Sequence, residues 1–457
     1  MDISTSAVPQ ATAALNDFSV NHDSIQQVLN YLLEQPYLSA ADIAAKENLS
    51  LTQMQVIYQK IQTQPIYQRQ LHTSDNRDYF DTVNNHFAKN QYTIVFFVGL
   101  YCPARCHFCP SVEIHDNGFR ELFVFESQTP ERKKMALEDF ERLFDQLADQ
   151  QNQGKKINIK ISGGLEPFTD TKTIRWILTL ARQHNINTTI FTNGMLLKMK
   201  KNRTLALMCD NLRISLSTSD DDSFKQAYFG EHKKNKPIIT IHQLGDALGQ
   251  LITERNQSDS NTQVGINTVA GEFNFHELPA LVDFIVHKGI DYMEIKGEYF
   301  EQKTETWFKQ LEQSLEVITA QMVNKKIGRT TINITGSLGR HNFYNRAPSG
   351  LCRASDQARH KMFINPFGEC TPVHYWAYPN GGKQESNSEF CGALDRKTGL
   401  AQVIQQANSM STLHYSKLNP FELILSLESE RQRKDLEYGI PANFNPYLPS
   451  DMLHLVK

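Results

Sequence analysis

The chain of 457 residues is 40% hydrophobic and 21% charged, with a net charge of −3, an ordinary balance for a globular protein that implies no general affinity for nucleic acid. Its length exceeds that at which one hydrophobic core usually stops growing, so two or three domains are expected. The first twenty residues lack a basic run followed by an apolar one, and no stretch is long and apolar enough to cross a bilayer, which makes the cytoplasm the expected location and excludes a membrane partner.

Ile25, Val28, Leu29 and Leu32 follow helical spacing behind Ser24, read as the cap with Gln27 three residues on. A second helix is predicted from Ser39. A third follows Ser50, with Gln53 three residues on and Met54, Ile57, Tyr58 and Ile61 along one face. These helices, within a segment spanning 1–88, resemble a helix-turn-helix unit. Lys46 and Lys60 are balanced by Asp42 and Glu47, so the segment lacks the basic face of a DNA reader and reads as a packed helical cap.

From Tyr92 the texture changes to short β-rich runs, YTIVFFVGL, INIKI, TTIF, LRISL, VGINTV and YMEI. Helical stretches separate them: one with Met135, Phe140, Leu143, Phe144 and Leu147, then Thr173 to His184 and His276 to Lys288. The alternation predicts an α/β fold, a partial (β/α)6 TIM-like barrel over 89–345, with function gathered at the C-terminal strand ends. Beyond 346 a Gly-, Pro- and aromatic-rich tract carrying Cys352, Cys370 and Cys391 reads as a separate C-terminal α+β module over 346–457.

Three of the seven cysteines crowd into eight residues, as Cys102-x3-Cys106-x2-Cys109, directly after the first strand. Structural zinc sites place their ligands as separated pairs, and no second pair lies near. Three thiolates on a four-iron cluster leave one iron open to a small molecule, whereas electron-carrying clusters usually have every iron held by cysteine. The next strand ends in Ser162-Gly163-Gly164-Leu165-Glu166-Pro167, where glycines permit close approach of a ligand to the backbone. The following strands end in Thr192-Asn193-Gly194 and in Ser215 and Ser217.

The cysteine spacing resembles the signature of the radical S-adenosylmethionine (SAM) superfamily. That resemblance implies a 4Fe-4S cluster on Cys102, Cys106 and Cys109, and SAM chelated at the open iron. Reductive cleavage would give a 5'-deoxyadenosyl radical that takes hydrogen from a substrate, with an electron donor such as flavodoxin or ferredoxin. Gly163, Gly164 and Glu166 resemble the superfamily's Gly-Gly-Glu motif, which binds the SAM amino group, although Leu165 intervenes. Phe108 matches the aromatic placed against adenine, and Asn193, Ser215, Ser217, Gly265 and Asn267 fall where the SAM pocket is lined.

The tracts VGLY, CHFC, SGGLEPFTD, IFTNGMLL, LRISLSTSDDDSF and DYMEIKGEYF are similar to one branch, TDP-4-amino-4,6-dideoxyglucose ammonia-lyase of desosamine biosynthesis. This implies a small-molecule substrate related to an amino or deoxy sugar or a nucleotide-linked sugar, undergoing elimination, dehydrogenation or epimerisation. Glu294 and Lys296 are the candidate catalytic contacts, with Glu298 and Tyr299 beside them. The stretch FINPFGECTP resembles twitch and SPASM modules, which implies an auxiliary 4Fe-4S cluster on Cys352, Cys370 and Cys391. A fourth ligand would come from His374, Cys209, substrate or solvent; the alternative is buried, inert thiols, and Cys209 itself reads as a small core residue. Two other functions stand beside the sugar enzyme: a peptide-modifying radical SAM maturase whose N-terminal helices grip a leader, and a non-catalytic iron-sulfur or zinc-binding protein.

Overall fold

The computed structural model describes residues 20–447, apart from 73–74, 88, 100, 110–133, 163–164, 231–237, 299–302, 325–326, 336–337, 340–342, 344–347, 373–390, 395–396, 410–412, 415–417 and 419. The chain divides into two compact units, one made of 1–91, 341–360 and 412–457, the other of 92–340 and 361–411. The tract 346–457, expected as a module of its own, is thus shared between the two.

The first unit is helical: α1 (His22–Glu34), α2 (Ala40–Glu47), α3 (Leu51–Thr63), α4 (Pro65–His72) and α5 (Arg77–His86). Helix α1 starts one turn earlier than expected, because the Asn21 side chain, not Ser24, accepts from a first-turn N–H, that of Ser24. Ser39 and Ser50 each close a capping box, with Asp42 and Gln53. Helices α4 and α5 were not anticipated, although Tyr79, Phe80, Val83 and His86 of α5 share one buried face at helical spacing. The long helix α15 (Pro420–Tyr438) joins this unit and buries Arg431, 1% exposed. Its guanidinium binds Glu428 at 2.5 and 2.8 Å and also Asp435, while Asp435 accepts from the Ala40 N–H at 2.5 Å and Tyr79 donates to Glu428 at 3.1 Å.

The second unit is built on one sheet. Its strands are β1 (Gln91–Phe97), β2 (Lys156–Ser162), β3 (Asn187–Thr192), β4 (Asn211–Ser215), β5 (Gln263–Ala270), β6 (Tyr292–Gly297), β7 (Thr331–Ile334), β9 (Lys361–Ile364), β10 (Glu369–Thr371) and β11 (Gly392–Ala393), while the short β8 (Leu351–Cys352) belongs to the first unit. The order is β11-β10-β9-β1-β2-β3-β4-β5-β6-β7, parallel from β9 to β7 and antiparallel across β9, β10 and β11. Helices between the strands include α6 (Leu137–Asn152), α7 (Thr171–Gln183), α9 (Asp221–Phe229) and α10 (Ile241–Asn256). This is the expected partial barrel of parallel β/α units, extended by β7 at one edge and by β9 to β11 at the other.

Period-two alternation decides which residues face the helices. On β2, Ile157, Ile159 and Ile161 are buried while Asn158, Lys160 and Ser162 take the other face. On β4 the pair Leu212 and Ile214 alternates with Arg213 and Ser215, and on β6 Met293 and Ile295 alternate with Glu294 and Lys296. The apolar side takes the helices, as where Phe96 packs on Phe140 and Phe144 of α6 at 5.6 and 6.4 Å. The polar side is left to the lumen.

Candidate active site

The cysteine loop leaves β1 through Gly99, whose role is close approach. A Cβ there would lie 2.2 Å from the Glu166 carbonyl oxygen and 2.6 Å from its carbon. That proximity lets the Glu166 N–H donate to the Tyr101 carbonyl at 3.1 Å, tying the loop after β1 to the loop after β2. At its far side the loop is held by the last turn of α9, where Arg105 N–H donates to the Tyr228 carbonyl at 2.7 Å and His107 N–H to the Ala227 carbonyl at 3.3 Å. These are carbonyls that the helix end leaves without intrahelical donors. A turn from the Cys106 carbonyl to the Cys109 N–H, 3.0 Å, brings the last two cysteines round.

Burial pushes the Cys102 thiol up to about 12 and Cys106 well above its ordinary value, and each is raised further by the field of its fellow cysteines and of Glu166. Burial and neighbouring negative charge thus favour the neutral thiol at Cys102 and Cys106, a bound cation would favour the thiolate, and soft thiolates suit iron-sulfur clusters. Among the described residues no three His, Cys, Asp or Glu side chains converge as on a single ion; a cube whose irons each take one thiolate does not require that. The chemistry of the donor set fits a cluster.

Glu166, 2% exposed, is the centre of the strand-end network. Its carboxylate accepts from Thr192 Oγ1 at 2.7 Å, from the Asn193 N–H at 2.9 Å and from the Phe168 N–H at 3.2 Å. Burial outweighs these three donors and lifts it to about 7. Asn193 links it to the cysteines, since its Nδ2 donates to Cys102 Sγ at 3.5 Å and its Oδ1 accepts from Met195 N–H at 2.9 Å. Gly194 follows with φ of 75°, a conformation that favours glycine and turns the chain off β3. A carboxylate can accept about four hydrogen bonds, so this one keeps capacity for an ammonium donor, whose charge would draw it back down.

Phe108 stacks on Phe273 at 5.5 Å and 12° and meets Tyr228 edge-on at 5.6 Å. Phe273, far off in sequence and in no motif, was not anticipated. Ser217 is fully buried and its Oγ accepts from the Val269 N–H at 3.1 Å, so this hydroxyl braces β4 against β5 instead of reaching outward. Ser215 stays half-buried on the lumen face, its carbonyl accepting from Tyr228 at 3.2 Å. Gly265 is covered by the Tyr292 ring, which a Cβ would meet at 2.0 Å, so it borders Tyr292 and not a nucleoside. Asn267 pairs in register with Glu294, and its Oδ1 is buried with no partner among the described residues. Gly163, Gly164, Tyr299 and His374 lie outside the described residues.

Glu294 and Lys296 are together as expected, 3.3 Å apart, and Glu294 also binds Arg213 at 2.6 Å. Arg213 lies between the rings of Phe191 and Tyr292, 5.6 and 5.7 Å away. Cys370 and Cys391 are neighbours in the second unit, whereas Cys352 belongs to the first. The Cys391 thiol donates to the Cys370 carbonyl at 3.1 Å and the Cys370 thiol to the Gly368 carbonyl at 3.3 Å. Cys209 is buried in the core as expected. A cleft of about 710 Å³ lined by Thr188, Asp210 and Thr262 lies at the opposite, N-terminal ends of β3 to β5.

A parallel β/α barrel whose first strand feeds a three-cysteine loop, tied to a carboxylate at the second strand end, defines a class of cluster-bearing barrel. Residues 96–249 match the model of the radical SAM superfamily, so the chain carries a radical SAM domain there. That family uses a 4Fe-4S cluster and S-adenosylmethionine. No curated protein matches the chain. Among solved structures it is similar to Streptococcus suis SuiB bound to precursor peptide SuiA, at 17% identity and TM-score 0.42 over 68% of this chain and 66% of that one. SuiB bound to S-adenosylmethionine gives 15% and 0.45 over 96% and 95%. Native anSMEcpe with bound AdoMet gives 11% and 0.46 over 76% and 96%. No helix among the described residues is long and apolar enough to cross a membrane.

Proposed function

We propose that Cys102, Cys106 and Cys109 hold the cluster and that this chain acts on an amino or deoxy sugar, free or nucleotide-linked. The bound cluster and SAM together supply reductive homolysis and a 5'-deoxyadenosyl radical able to take hydrogen from carbon. The chain's own residues do the rest. Glu166 and Asn193 position the SAM amino group beside Cys102, the Phe108, Phe273 and Tyr228 rings close the side towards α9, and the lumen presents Glu294 and Lys296 to the substrate. The observation that carries this reading is the continuous link from Cys102 Sγ through Asn193 to Glu166, which joins a cluster ligand to a strand-end carboxylate. The sugar assignment is supported by the tracts SGGLEPFTD and LRISLSTSDDDSF and by the charged lumen face. Cys352, Cys370 and Cys391 are read as packing thiols, because two of them already donate to backbone carbonyls.

The test is anaerobic reconstitution followed by iron analysis and incubation with dithionite and SAM. The expected result is about four irons per chain and formation of 5'-deoxyadenosine, both lost in Cys106→Ala. A Cys106→Ala protein that still releases 5'-deoxyadenosine would refute the assignment, and about eight irons would restore an auxiliary cluster.

A further inference from the structure

Tyr228, in the last turn of α9, is fully buried and meets two parts of the candidate site at once. Its main-chain carbonyl takes the Arg105 N–H of the cysteine loop at 2.7 Å, beside the Ala227 carbonyl that takes the His107 N–H. Its ring stands edge-on to Phe108 of the same loop and packs on Phe224, 4.8 Å away and one turn earlier in α9. Its hydroxyl reaches the tip of β4, where it accepts from the Ser217 N–H at 2.9 Å and donates to the Ser215 carbonyl at 3.2 Å. Donor and acceptor of the phenol are both engaged.

The tip of β4 needs such a partner because the ladder gives out there. In-register pairing with β5 runs to Ser215 against Asn267, and the Leu216 N–H still donates to the Asn267 carbonyl at 3.2 Å. Beyond that point side chains stand in for backbone. Thr268 Oγ1 donates to the Leu216 carbonyl at 2.8 Å, Ser217 Oγ accepts from the Val269 N–H, and Asn274 Nδ2 donates to the Ser217 and Val269 carbonyls at 2.6 and 2.8 Å. The Ser217 N–H has the Tyr228 hydroxyl as its acceptor, and a buried N–H left unpaired is costly. We propose that Tyr228 is a positioning residue that couples the cysteine loop to the β4 tip, its carbonyl and ring holding the one while its hydroxyl holds the other. This rests on the radical reading and deepens it: the loop carries the proposed cluster ligands and Phe108, the tip carries Ser215, and reaction between groups held on the two demands a fixed separation.

The experiment begins with hydrogen exchange on the full-length chain before any cluster is introduced. Tyr228→Phe removes the acceptor of the Ser217 N–H, so exchange at the β4 tip must rise whatever else Tyr228 does. Coupling predicts that exchange across the cysteine loop, Cys102 to Cys109, rises as well, by at least about tenfold, although the Ala227 and Tyr228 carbonyls that hold the loop are untouched by the substitution. A loop that exchanges as in the parent overturns the proposal. After anaerobic reconstitution, iron per chain should match the parent, while kcat for 5'-deoxyadenosine at saturating SAM, counted per cluster, falls at least about tenfold. A purely structural role would lower the melt and the iron content but leave turnover per cluster unchanged, and that result also overturns the proposal. Tyr79→Phe is the control: a fully buried tyrosine of the first unit loses its bond to Glu428, which should lower the melt alone. Should Tyr228→Phe not give a cooperative melt, Phe224→Leu, which loosens the ring and keeps the hydroxyl, takes its place with the same two readouts. A parent that makes no 5'-deoxyadenosine defeats the radical reading and leaves the exchange result to decide the coupling, whereas exchange confined to the β4 tip, with SAM cleavage intact in the parent, defeats this inference alone.

Discussion

Replacing Gly99 by alanine tests the geometry that joins the cysteine loop to Glu166. The added methyl would sit 2.2 Å from the Glu166 carbonyl oxygen, 2.6 Å from its carbon and 3.1 Å from Thr169 Oγ1, against the 3.4 Å at which ordinary contact begins. Two of these are backbone atoms and cannot swing aside, so the β1 end and the β2 loop must part by about 1 Å, within a tightly packed interior. That movement stretches the Glu166 N–H to Tyr101 bond, now 3.1 Å, and shifts the carboxylate away from Asn193 and Cys102. Overpacking of this kind costs about 1–3 kcal/mol, and misplacing reacting groups by about 1 Å costs about 100-fold in rate. Iron content should survive, since the three cysteines keep their loop, whereas 5'-deoxyadenosine formation should fall about 100-fold. Gly249→Ala is the matched control, a position in α10 where a Cβ meets nothing within 4 Å, so a gain of about 0.5–1 kcal/mol is expected. Thermal melts and a discontinuous 5'-deoxyadenosine assay decide. If Gly99→Ala melts and turns over like the parent, the close approach at Glu166 does not organise the site.

Two other outcomes follow from buried charge. Glu166 is lifted from 4.5 to about 7, so its folded state holds a proton that the unfolded chain releases. Its contribution is present below 4.5 and is lost as pH rises to about 7, and the parent should lose stability relative to Glu166→Gln across that window. Parallel pH profiles of the two melts would contradict this. In the first unit, Arg431→Met would strip Glu428 and Asp435 of their buried partner at once and should cost about 3–5 kcal/mol in urea unfolding; a loss below about 1 kcal/mol would show that the carboxylates find other donors.

The parts legible in sequence were those written in local pattern. Ser39 with Asp42 and Ser50 with Gln53 announce helix starts because a capping box is closed within four residues. The triplet Cys102, Cys106 and Cys109 announces a cluster because its ligands lie on one loop. The third and fourth members of a lumen are another matter. β9 has four residues and pairs with β1 from 268 positions away, Thr93 against Lys361, so no local period reveals it as a barrel strand. Without β9, Lys361 reads as one more charged residue in a loose C-terminal tract, and FINPFGECTP reads as a separate module.

The same reasoning explains why Lys160 and Arg213 went unnoticed while Glu294 and Lys296 did not. All four occupy the polar phase of short strands, where a charge is ordinarily solvated. Only the alternation on each strand, combined with pairings such as Arg213 to Gly265 and Asn267 to Glu294, puts them on one enclosed face. Gly265 makes this explicit: its missing side chain lets the Tyr292 ring lie across the strand, donate to Asn211 at 2.5 Å and brace Arg213 from one side. A glycine that seemed to leave room for a ligand leaves room for a neighbouring side chain, and that side chain holds the arginine in the lumen beside Glu294.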